Sequence, residues 1–499
     1  MSFPRRRESP KTNFMRGIPA FPPEGKRGDD FSRGFMLQNI PHRDRVIFKG
    51  DSLIESYNHD AVTSGNPDAI VRPRDWQEVR DIVSWCNGNS TPVTVCGART
   101  SMTGSSVAEG GLLITTDHFG RLIDIGKDKG SAFAVVEPGM IVRQFQKMVE
   151  EHGFHYPVVP TSCDDAFVGG TVSTNATGED FYKYGPTRSF VEEISFIRAD
   201  GSEGTLSRRG KPPPPSAKGR GGYFLGGDEI DHLIGSEGTL AIITRIRLRL
   251  LDHIPETIVL MAPFPSVDTA LGFIDKINRG HNKPRSLEFI DTYSIKLMQT
   301  YKDCPPLSDR AKAYVYIKDE VAGDATQTAE HWFNDNELLD HVIVATTDRQ
   351  KEVLHQLRHQ IPLRSGEMHE ALKKNGGCKV AADWWVPRGK MVEMMKQVYK
   401  ESPELGVEFI AYGHLGDGHP HVNYFCPDKN AVARAKELVK AQCRRAVSYG
   451  GGVAAEHGIG KIKRELLPIQ YSDEVIKKMR DVKTKFDPNW ILGRGNIFG

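Results

Sequence analysis

Residues 92–106, PVTVCGARTSMTGSS, join a short β-branched strand to a loop of glycine and other small residues. Small residues after a strand can turn backbone N–H groups inward, where they can cradle phosphate oxygens. The loop matches neither GxxxxGK(S/T) nor GxGxxG, so it is not a Walker or Rossmann loop. Taken alone, it is more typical of a tight structural turn than of a ligand-binding loop.

Two more glycine-rich stretches follow, VGGTVSTNATG (168–178) and GSEGTL (235–240). Glycine has no Cβ, so each stretch lets a flat or charged ligand approach the backbone closely. Each is weak evidence by itself. Together with residues 97–106 they favour nucleotide binding within one domain.

The order of predicted elements indicates an α+β fold. Short strands such as AIVRP, GLLITTD and AFAVVEPG alternate irregularly with helices such as DWQEVRDIVSWCNGN, which Asp75 is placed to cap. The strict βαβ repeat of a doubly wound sheet is missing. We expect four segments: a disordered basic tail (1–45), a nucleotide-binding domain (46–252), a smaller substrate domain (253–430) and a helical C-terminal segment (431–499) that returns to the first domain.

Composition narrows the class of protein. The chain has 499 residues, 38% of them hydrophobic and 26% charged, with a formal net charge of +2. This balance argues against a nucleic-acid partner, and no apolar run approaches the roughly 18 residues of a transmembrane helix. Seven cysteines without a CxxC pair make an iron–sulfur cluster in this chain unexpected and favour a reducing compartment. We expect a cytoplasmic protein, or one peripheral to the inner face of a membrane.

The stretch GHLGDGHPHVNYF (413–425) concentrates ligand-type side chains around a glycine turn. In a hairpin, alternation places His419, His421 and Asn423 on one face, with His414 across from His419. Glu456, in AAEHG (454–458), is the obvious candidate carboxylate. Imidazoles with a carboxylate or amide oxygen suit zinc and similar divalent metals. A metal or catalytic site is favoured over structural histidines.

These stretches are similar to landmarks of the flavin-linked D-2-hydroxyacid dehydrogenases. That group contains D-lactate dehydrogenase (cytochrome), the FAD subunit of glycolate oxidase and D-2-hydroxyglutarate dehydrogenase. The resemblance runs from about Tyr57 to Phe498, and the stretches that carry it include GARTSMTG, VGGTVSTNATG, GSEGTLAIIT, LEFID, GHLGDGHPH and AEHGIGK. It implies a flavin domain of the vanillyl-alcohol-oxidase (PCMH) type.

The resemblance also assigns site residues. It implies non-covalent FAD, since the first loop (97–106) contains no histidine or cysteine to attach the flavin. The pyrophosphate is expected on Gly97, Ala98, Arg99, Thr100, Ser101 and Gly104. Other cofactor contacts are expected from Gly169, Gly170, Ser173, Asn175 and Gly178, and on the adenosine side from Glu237 and Gly238. A divalent metal, with zinc expected, is placed on His414, His421, Asn423 and Glu456. His457 is the implied base, and Arg358 and Lys379 are implied to bind the substrate carboxylate.

The chain departs from the family pattern at four places. His419 and Pro420 stand where the loop often has Asn and Leu, and proline predicts that this hairpin lies at a sheet edge. Pro362 replaces a threonine, which argues against a hydroxyglutarate-type pocket. The terminal NPGK is GRGN (493–496), and a proline-rich loop occurs at Pro212–Pro215.

The implied reaction is dehydrogenation of a small D-2-hydroxy acid, D-lactate or a similar acid, to the 2-oxo acid. The metal polarises the hydroxyl group, His457 takes its proton, and hydride passes from Cα to flavin N5. A separate acceptor must then reoxidise the flavin: a cytochrome, a quinone, an electron-transfer flavoprotein or an iron–sulfur subunit. Two alternatives stay open, a non-redox FAD enzyme of the alkyl-dihydroxyacetone-phosphate synthase type and a flavin subunit that only relays electrons. A homodimer is also left open.

Overall fold

The computed structural model describes residues 37–213, 221–321, 323–333 and 341–498. The strands of these residues form three sheets, and helices pack against them, which confirms the predicted α+β class. The first sheet has the order β1-β2-β4-β3, with β2, β3 and β4 parallel and β1 antiparallel to β2. Its strands are β1 (Val46–Phe48), β2 (Ala69–Val71), β3 (Val93–Cys96) and β4 (Leu112–Thr115).

The second sheet is antiparallel, in the order β5-β6-β9-β7-β8. Its strands are β5 (Leu122–Asp128), β6 (Ser131–Val136), β7 (Val191–Ile197), β8 (Glu203–Ser207) and β9 (Ile242–Arg249). The predicted turn RADGSE connects β7 to β8, where Gly201 adopts a φ of +83° that suits glycine.

The third sheet is also antiparallel and has the order β13-β10-β12-β11-β15-β16-β14. Its strands are β10 (Thr257–Phe264), β11 (Ser286–Asp291), β12 (Ala313–Glu320), β13 (Ile343–Ala345), β14 (Cys378–Ala382), β15 (Glu408–Gly413) and β16 (His421–Cys426).

The described helices lie between and around these sheets. They are α1 (Leu53–Tyr57), α2 (Trp76–Gly88), α3 (Val142–Glu151), α4 (Val168–Thr174), α5 (Phe181–Tyr184), α6 (Ile230–Leu233), α7 (Val267–Arg279), α8 (Thr292–Met298), α9 (Ala325–Phe333), α10 (Asp348–Lys373), α11 (Met391–Glu401), α12 (Lys429–Ser448), α13 (Leu467–Gln470) and α14 (Asp473–Phe486). Of the helices in the described ranges, none is both long and apolar enough to cross a membrane.

Helix α2 begins as its sequence predicts. The Asp75 side chain accepts a hydrogen bond from the backbone N–H of Glu78 at 2.9 Å. Val79, Ile82, Val83 and Cys86 lie on its buried face against the first sheet. This spacing is the amphipathic pattern that predicted the helix.

The prediction that the histidine hairpin lies at a sheet edge is wrong. Strand β16 pairs with β15 on one side and β14 on the other. Pro420 precedes the first strand residue, His421, so its missing N–H removes no hydrogen bond from the ladder. His419 also lies before the strand, so only His421 and Asn423 share a face by strand alternation.

The tail prediction is wrong for residues 37–45. Leu37 and Ile40 are buried in the core of the first sheet together with Val79 and Ile82. The rest of the predicted tail, and Pro214 and Pro215 of the proline-rich loop, lie outside the described residues.

Residues 491–493 are attached to β3, an edge strand of the first sheet. Val93 in β3 donates its N–H to Ile491 and accepts from Gly493, at 2.7 and 2.8 Å. The buried Lys483 ammonium fixes this segment by donating to Asp487 Oδ2 at 2.5 Å, to Thr239 O at 2.6 Å and to Leu492 O at 2.9 Å.

Lys483→Met should lower the free energy of unfolding by about 3–5 kcal/mol, because it leaves the Asp487 carboxylate buried without its ion-pair partner. Chemical unfolding of the purified protein measures the change. Lys485→Met is the matched control, since Lys485 is exposed and its pair with Glu229 should contribute less than about 1 kcal/mol. Equal effects of the two substitutions would contradict the role given to Lys483.

Candidate functional site

The glycine-rich loops and the histidine hairpin open into the same cavity, of about 2330 Å³. Its lining includes eleven of the thirteen predicted cofactor residues: Gly97, Ala98, Arg99, Thr100, Ser101, Gly169, Gly170, Ser173, Gly178, Glu237 and Gly238. It also includes all seven predicted catalytic and metal residues: His457, Arg358, Lys379, His414, His421, Asn423 and Glu456. Segments far apart in sequence therefore share one site.

Three glycines leave space on the cavity side of the loops. A Cβ at Gly170 would have no neighbour within 4 Å, and at Gly97 and Gly238 the nearest atoms would be 3.6 and 3.8 Å away. Packing against the protein does not require glycine at Gly97 and Gly170, whereas Gly238 also has a φ of +70° that favours glycine. The bare backbone fits the close approach of a large flat cofactor, so these loops suit FAD.

Two predicted cofactor residues do not line the cavity. Asn175 is fully buried, adopts a left-handed φ of +49°, and its Oδ1 accepts from the Arg188 N–H at 3.0 Å. Gly104 accepts from the Lys461 ammonium through its carbonyl at 3.3 Å. Both residues stabilise the loops on the side away from the cavity.

Glu237 lines the cavity but also fixes the loop that carries His457. Its carboxylate accepts from the N–H groups of Ile459 and Gly460 at 2.8 and 2.7 Å. Burial raises the pKa of Glu237 to about 7, against the lowering effect of these two hydrogen bonds. The GSEG turn and the EHGIGK loop are therefore held together directly.

His414, His421 and Glu456 form the candidate metal centre. One ligand atom from each lies within 4.8 Å of the other two. His414 Nε2 is 3.2 Å from Glu456 Oε1, and His421 Nε2 is 3.8 Å from Glu456 Oε2. Thr177 also donates to Glu456 Oε1 at 2.9 Å. Two imidazoles and a carboxylate are a donor set that fits zinc or a related divalent metal.

Asn423, the fourth predicted ligand, lines the same cavity. Its side-chain amide donates to Ser365 Oγ at 3.4 Å. It shares a strand face with His421, as period-two alternation predicts.

In this centre the protonation state of each group affects the pKa values of its neighbours. Burial disfavours protonation of His414, but the Glu456 and Glu288 carboxylates outweigh it and raise its pKa to about 9. Burial would raise the pKa of Glu456, yet the surrounding imidazoles hold it well below its usual range. Burial and the neighbouring imidazoles lower the pKa of His421. Such an arrangement favours an ionised carboxylate and a neutral imidazole at His421, the protonation states in which these groups bind metals.

His457 is oriented by a residue that the sequence analysis did not identify. Asp383 Oδ1 lies 3.2 Å from His457 Nδ1, and Asp383 Oδ2 accepts from the Lys463 ammonium at 2.6 Å. Burial would raise the pKa of Asp383, but Lys463 and His457 hold it well below its usual range. An ionised carboxylate on Nδ1 favours the tautomer whose Nε2 is free to accept a proton.

The two predicted carboxylate-binding cations differ in their surroundings. Arg358 is buried and already forms a two-pronged pair with Glu288, at 2.7 and 3.2 Å. Lys379 lines the cavity with no partner for its ammonium among the described residues, and burial lowers its pKa. The unpaired Lys379 ammonium is therefore the better placed of the two to meet an anionic ligand.

Sequence reasoning missed Asp383, Lys463, Thr177 and the role of Glu288. Glu288 stands in LEFID, which the sequence analysis quoted without assigning it a role. It pairs with Arg358 and also lies 3.1 Å from His414 Nδ1. Asp383, in AADWW, belongs to no pattern that would separate it from a structural aspartate.

Two family profiles match the chain, "FAD binding domain" over residues 67–207 and "FAD linked oxidases, C-terminal domain" over residues 255–497. The glycolate oxidase subunit GlcD of Bacillus subtilis is 28% identical over 89% of this chain and 92% of its own length. The D-lactate dehydrogenase of Archaeoglobus fulgidus is 29% identical over 86% and 90%. The D-2-hydroxyglutarate dehydrogenase of Stutzerimonas stutzeri is 27% identical over 93% and 98%.

Solved structures support the fold. An alkyldihydroxyacetonephosphate synthase aligns over 95% of this chain and 86% of its own with a TM-score of 0.67 at 16% identity. The 4-ethylphenol oxidase of Gulosibacter chungangensis aligns over 95% and 98% with a TM-score of 0.68 at 17% identity. Fold and sequence matches together define an FAD-linked oxidoreductase with a PCMH-type flavin domain. More narrowly, the chain belongs to the FAD-linked D-2-hydroxyacid dehydrogenase family.

Gly170→Val should lower the FAD content of the purified protein, because its side chain would extend into the cavity. Folding should be preserved, since Gly170 lies in helix α4 with open space around the position of a Cβ. The flavin-to-protein absorbance ratio measures the effect. Gly272→Val is the control, because Gly272 has the same open space in helix α7 but does not line the cavity. Full FAD occupancy in Gly170→Val would contradict the placement.

Proposed function

We propose that the protein is an FAD-dependent dehydrogenase that oxidises a small D-2-hydroxy acid, D-lactate or a similar acid, to the 2-oxo acid. The observation that carries the proposal is the shared cavity. FAD-type loops, a candidate metal centre, an oriented histidine and an unpaired lysine all line it. The relatives named D-lactate dehydrogenase and D-2-hydroxyglutarate dehydrogenase support the same class of reaction.

The reaction removes one proton from the substrate hydroxyl and one hydride from Cα. When bound, FAD supplies the acceptor for the hydride, and a divalent metal held by His414, His421 and Glu456 supplies a Lewis acid for the hydroxyl oxygen. The residues of the chain position the acid between these groups. Lys379 attracts its carboxylate, and Arg358 contributes positive charge that Glu288 partly neutralises.

His457 is the proposed base. With Nδ1–H directed at Asp383, Nε2 presents its lone pair and accepts the hydroxyl proton as the C–H bond breaks. Glu237 keeps the backbone of this loop in place through Ile459 and Gly460, so the base does not drift from the substrate. Positioning of this kind accounts for a large part of enzymatic rate enhancement.

A bound flavin would need a separate acceptor to reoxidise it. We propose a cytochrome, a quinone, an electron-transfer flavoprotein or an iron–sulfur subunit for that role. The likeness to alkyldihydroxyacetonephosphate synthase lies in the fold, whereas the two-histidine, one-glutamate centre and the lysine favour oxidation of a hydroxy acid.

Anaerobic addition of D-lactate, or of another small D-2-hydroxy acid from a substrate panel, should bleach the flavin absorbance, with one oxo acid formed per flavin. The L-enantiomers are the matched control and should bleach it far more slowly. Flavin that stays oxidised with every acid, yet is reduced by dithionite, would contradict the proposal and favour a relay or non-redox role.

His457→Asn should slow flavin reduction in a single turnover by roughly 10²–10⁴-fold, since asparagine keeps a similar size but cannot take the proton. FAD and metal contents should remain at the parent values. Asp383→Asn should slow reduction in the same direction, because a neutral amide no longer fixes the histidine tautomer. His152→Asn, on an exposed histidine of the same chain, is the control. Reduction at the parent rate in His457→Asn would exclude the base role, and loss of metal would make His457 a ligand.

A further inference from the structure

His419 is a fully buried histidine, and neither of its ring nitrogens has a hydrogen-bond partner in the described part of the chain. Burying a polar group without a hydrogen-bond partner is unfavourable. A buried imidazole whose nearest acceptors are carboxylates 3.4 and 3.6 Å away is placed to bind a further partner.

The two nitrogens of His419 face different groups. Nδ1 lies 3.6 Å from Glu456 Oε1, on the side of the candidate metal centre. Nε2 lies 3.4 Å from Asp383 Oδ1, on the opposite side. The ring centre is 4.8 Å from that of His421 and 6.0 Å from that of His414.

His414 shows the same arrangement. Its Nε2 faces Glu456 at 3.2 Å, and its Nδ1 faces the Glu288 carboxylate at 3.1 Å. Histidines that bind a metal through one nitrogen usually donate the other N–H to a carboxylate or carbonyl, which fixes the tautomer and strengthens the ligand. Glu288 serves His414 in this way, and Asp383 is placed to serve His419.

The distances of the three histidines from Glu456 are close to those expected between ligands of a single ion. Two ligand atoms at about 2.0–2.1 Å from a tetrahedral zinc are about 3.4 Å apart. The separations of His414 Nε2, His419 Nδ1 and His421 Nε2 from the Glu456 oxygens are 3.2, 3.6 and 3.8 Å. His419 does not belong to the group of three whose ligand atoms are within 4.8 Å of one another, so binding requires its ring to move toward that group.

We propose that His419 is a further protein ligand of the metal centre, binding through Nδ1 while Nε2–H donates to Asp383. The inference rests on the proposed metal centre and adds a third imidazole to it. Asp383 then contacts both the metal ligand His419 and the proposed base His457. An imidazole nitrogen binds zinc more strongly than an asparagine amide does, so the parent protein should retain its metal more tightly than His419→Asn.

The test uses the full-length, FAD-loaded protein, stripped with a chelator and titrated with Zn²⁺ against a chromophoric competitor. X-ray absorption at the zinc edge counts the bound imidazoles. We expect three imidazoles in the parent and two in His419→Asn, with zinc affinity at least about tenfold lower. His155→Asn, which replaces another buried histidine of the cavity wall, is the control and should leave count and affinity unchanged.

Two imidazoles in the parent protein would overturn the assignment of His419, whatever the affinity of the variant. That count needs no substitution, so it decides the question even if His419→Asn does not fold. If folded His419→Asn binds zinc through as many imidazoles as the parent protein, the assignment is also overturned. This holds even if its zinc affinity falls, because His419 would then only link Glu456 to Asp383. A parent protein that binds no zinc would refute the metal centre itself, a failure distinct from the others.

Discussion

The buried Asp383 carboxylate is the constraint on which the rest of the site depends. It accepts from Lys463 at 2.6 Å and lies 3.2 Å from His457 and 3.4 Å from His419. Its backbone carbonyl also accepts from Ala455, directly before the Glu456–His457 pair. A lone buried carboxylate is costly, and one with several polar partners is stabilised only when all of them are in place. The position of the base and the position of the metal ligands are therefore not independent.

Glu237 provides the second connection, between the flavin loops and the same catalytic loop. Its two hydrogen bonds to Ile459 and Gly460 join segments that lie more than 200 positions apart in the chain. Gly458 adopts a φ of +76°, and a Cβ there would come within 2.6 Å of Glu237 Oε1. Glycine is required at this point because the carboxylate approaches the backbone so closely. Flavin loops and base are thereby fixed relative to each other.

Much of the fold was predictable because its signals are local. Asp75 capping, the glycine-rich loops and the alternation of His421 and Asn423 depend on residues a few positions apart. The clustering of His414 with His421 follows from a short hairpin. Three features could not be predicted from local sequence, because they depend on which distant segments meet. They are the Arg358–Glu288 pair, the orientation of His457 by Asp383 and the interior position of β16. A buried aspartate such as Asp383 has no sequence pattern that separates it from a helix cap such as Asp291.

The hydrogen bonds of Ile491 and Gly493 to Val93 affect the order in which the chain folds during synthesis. During synthesis, β3 and the glycine loop that follows it leave the ribosome long before their last partner exists. The first sheet gains these contacts only after residue 493 has been translated. Contacts between residues so far apart in sequence form slowly, so β3 stays without this partner until residues 491–493 have left the ribosome.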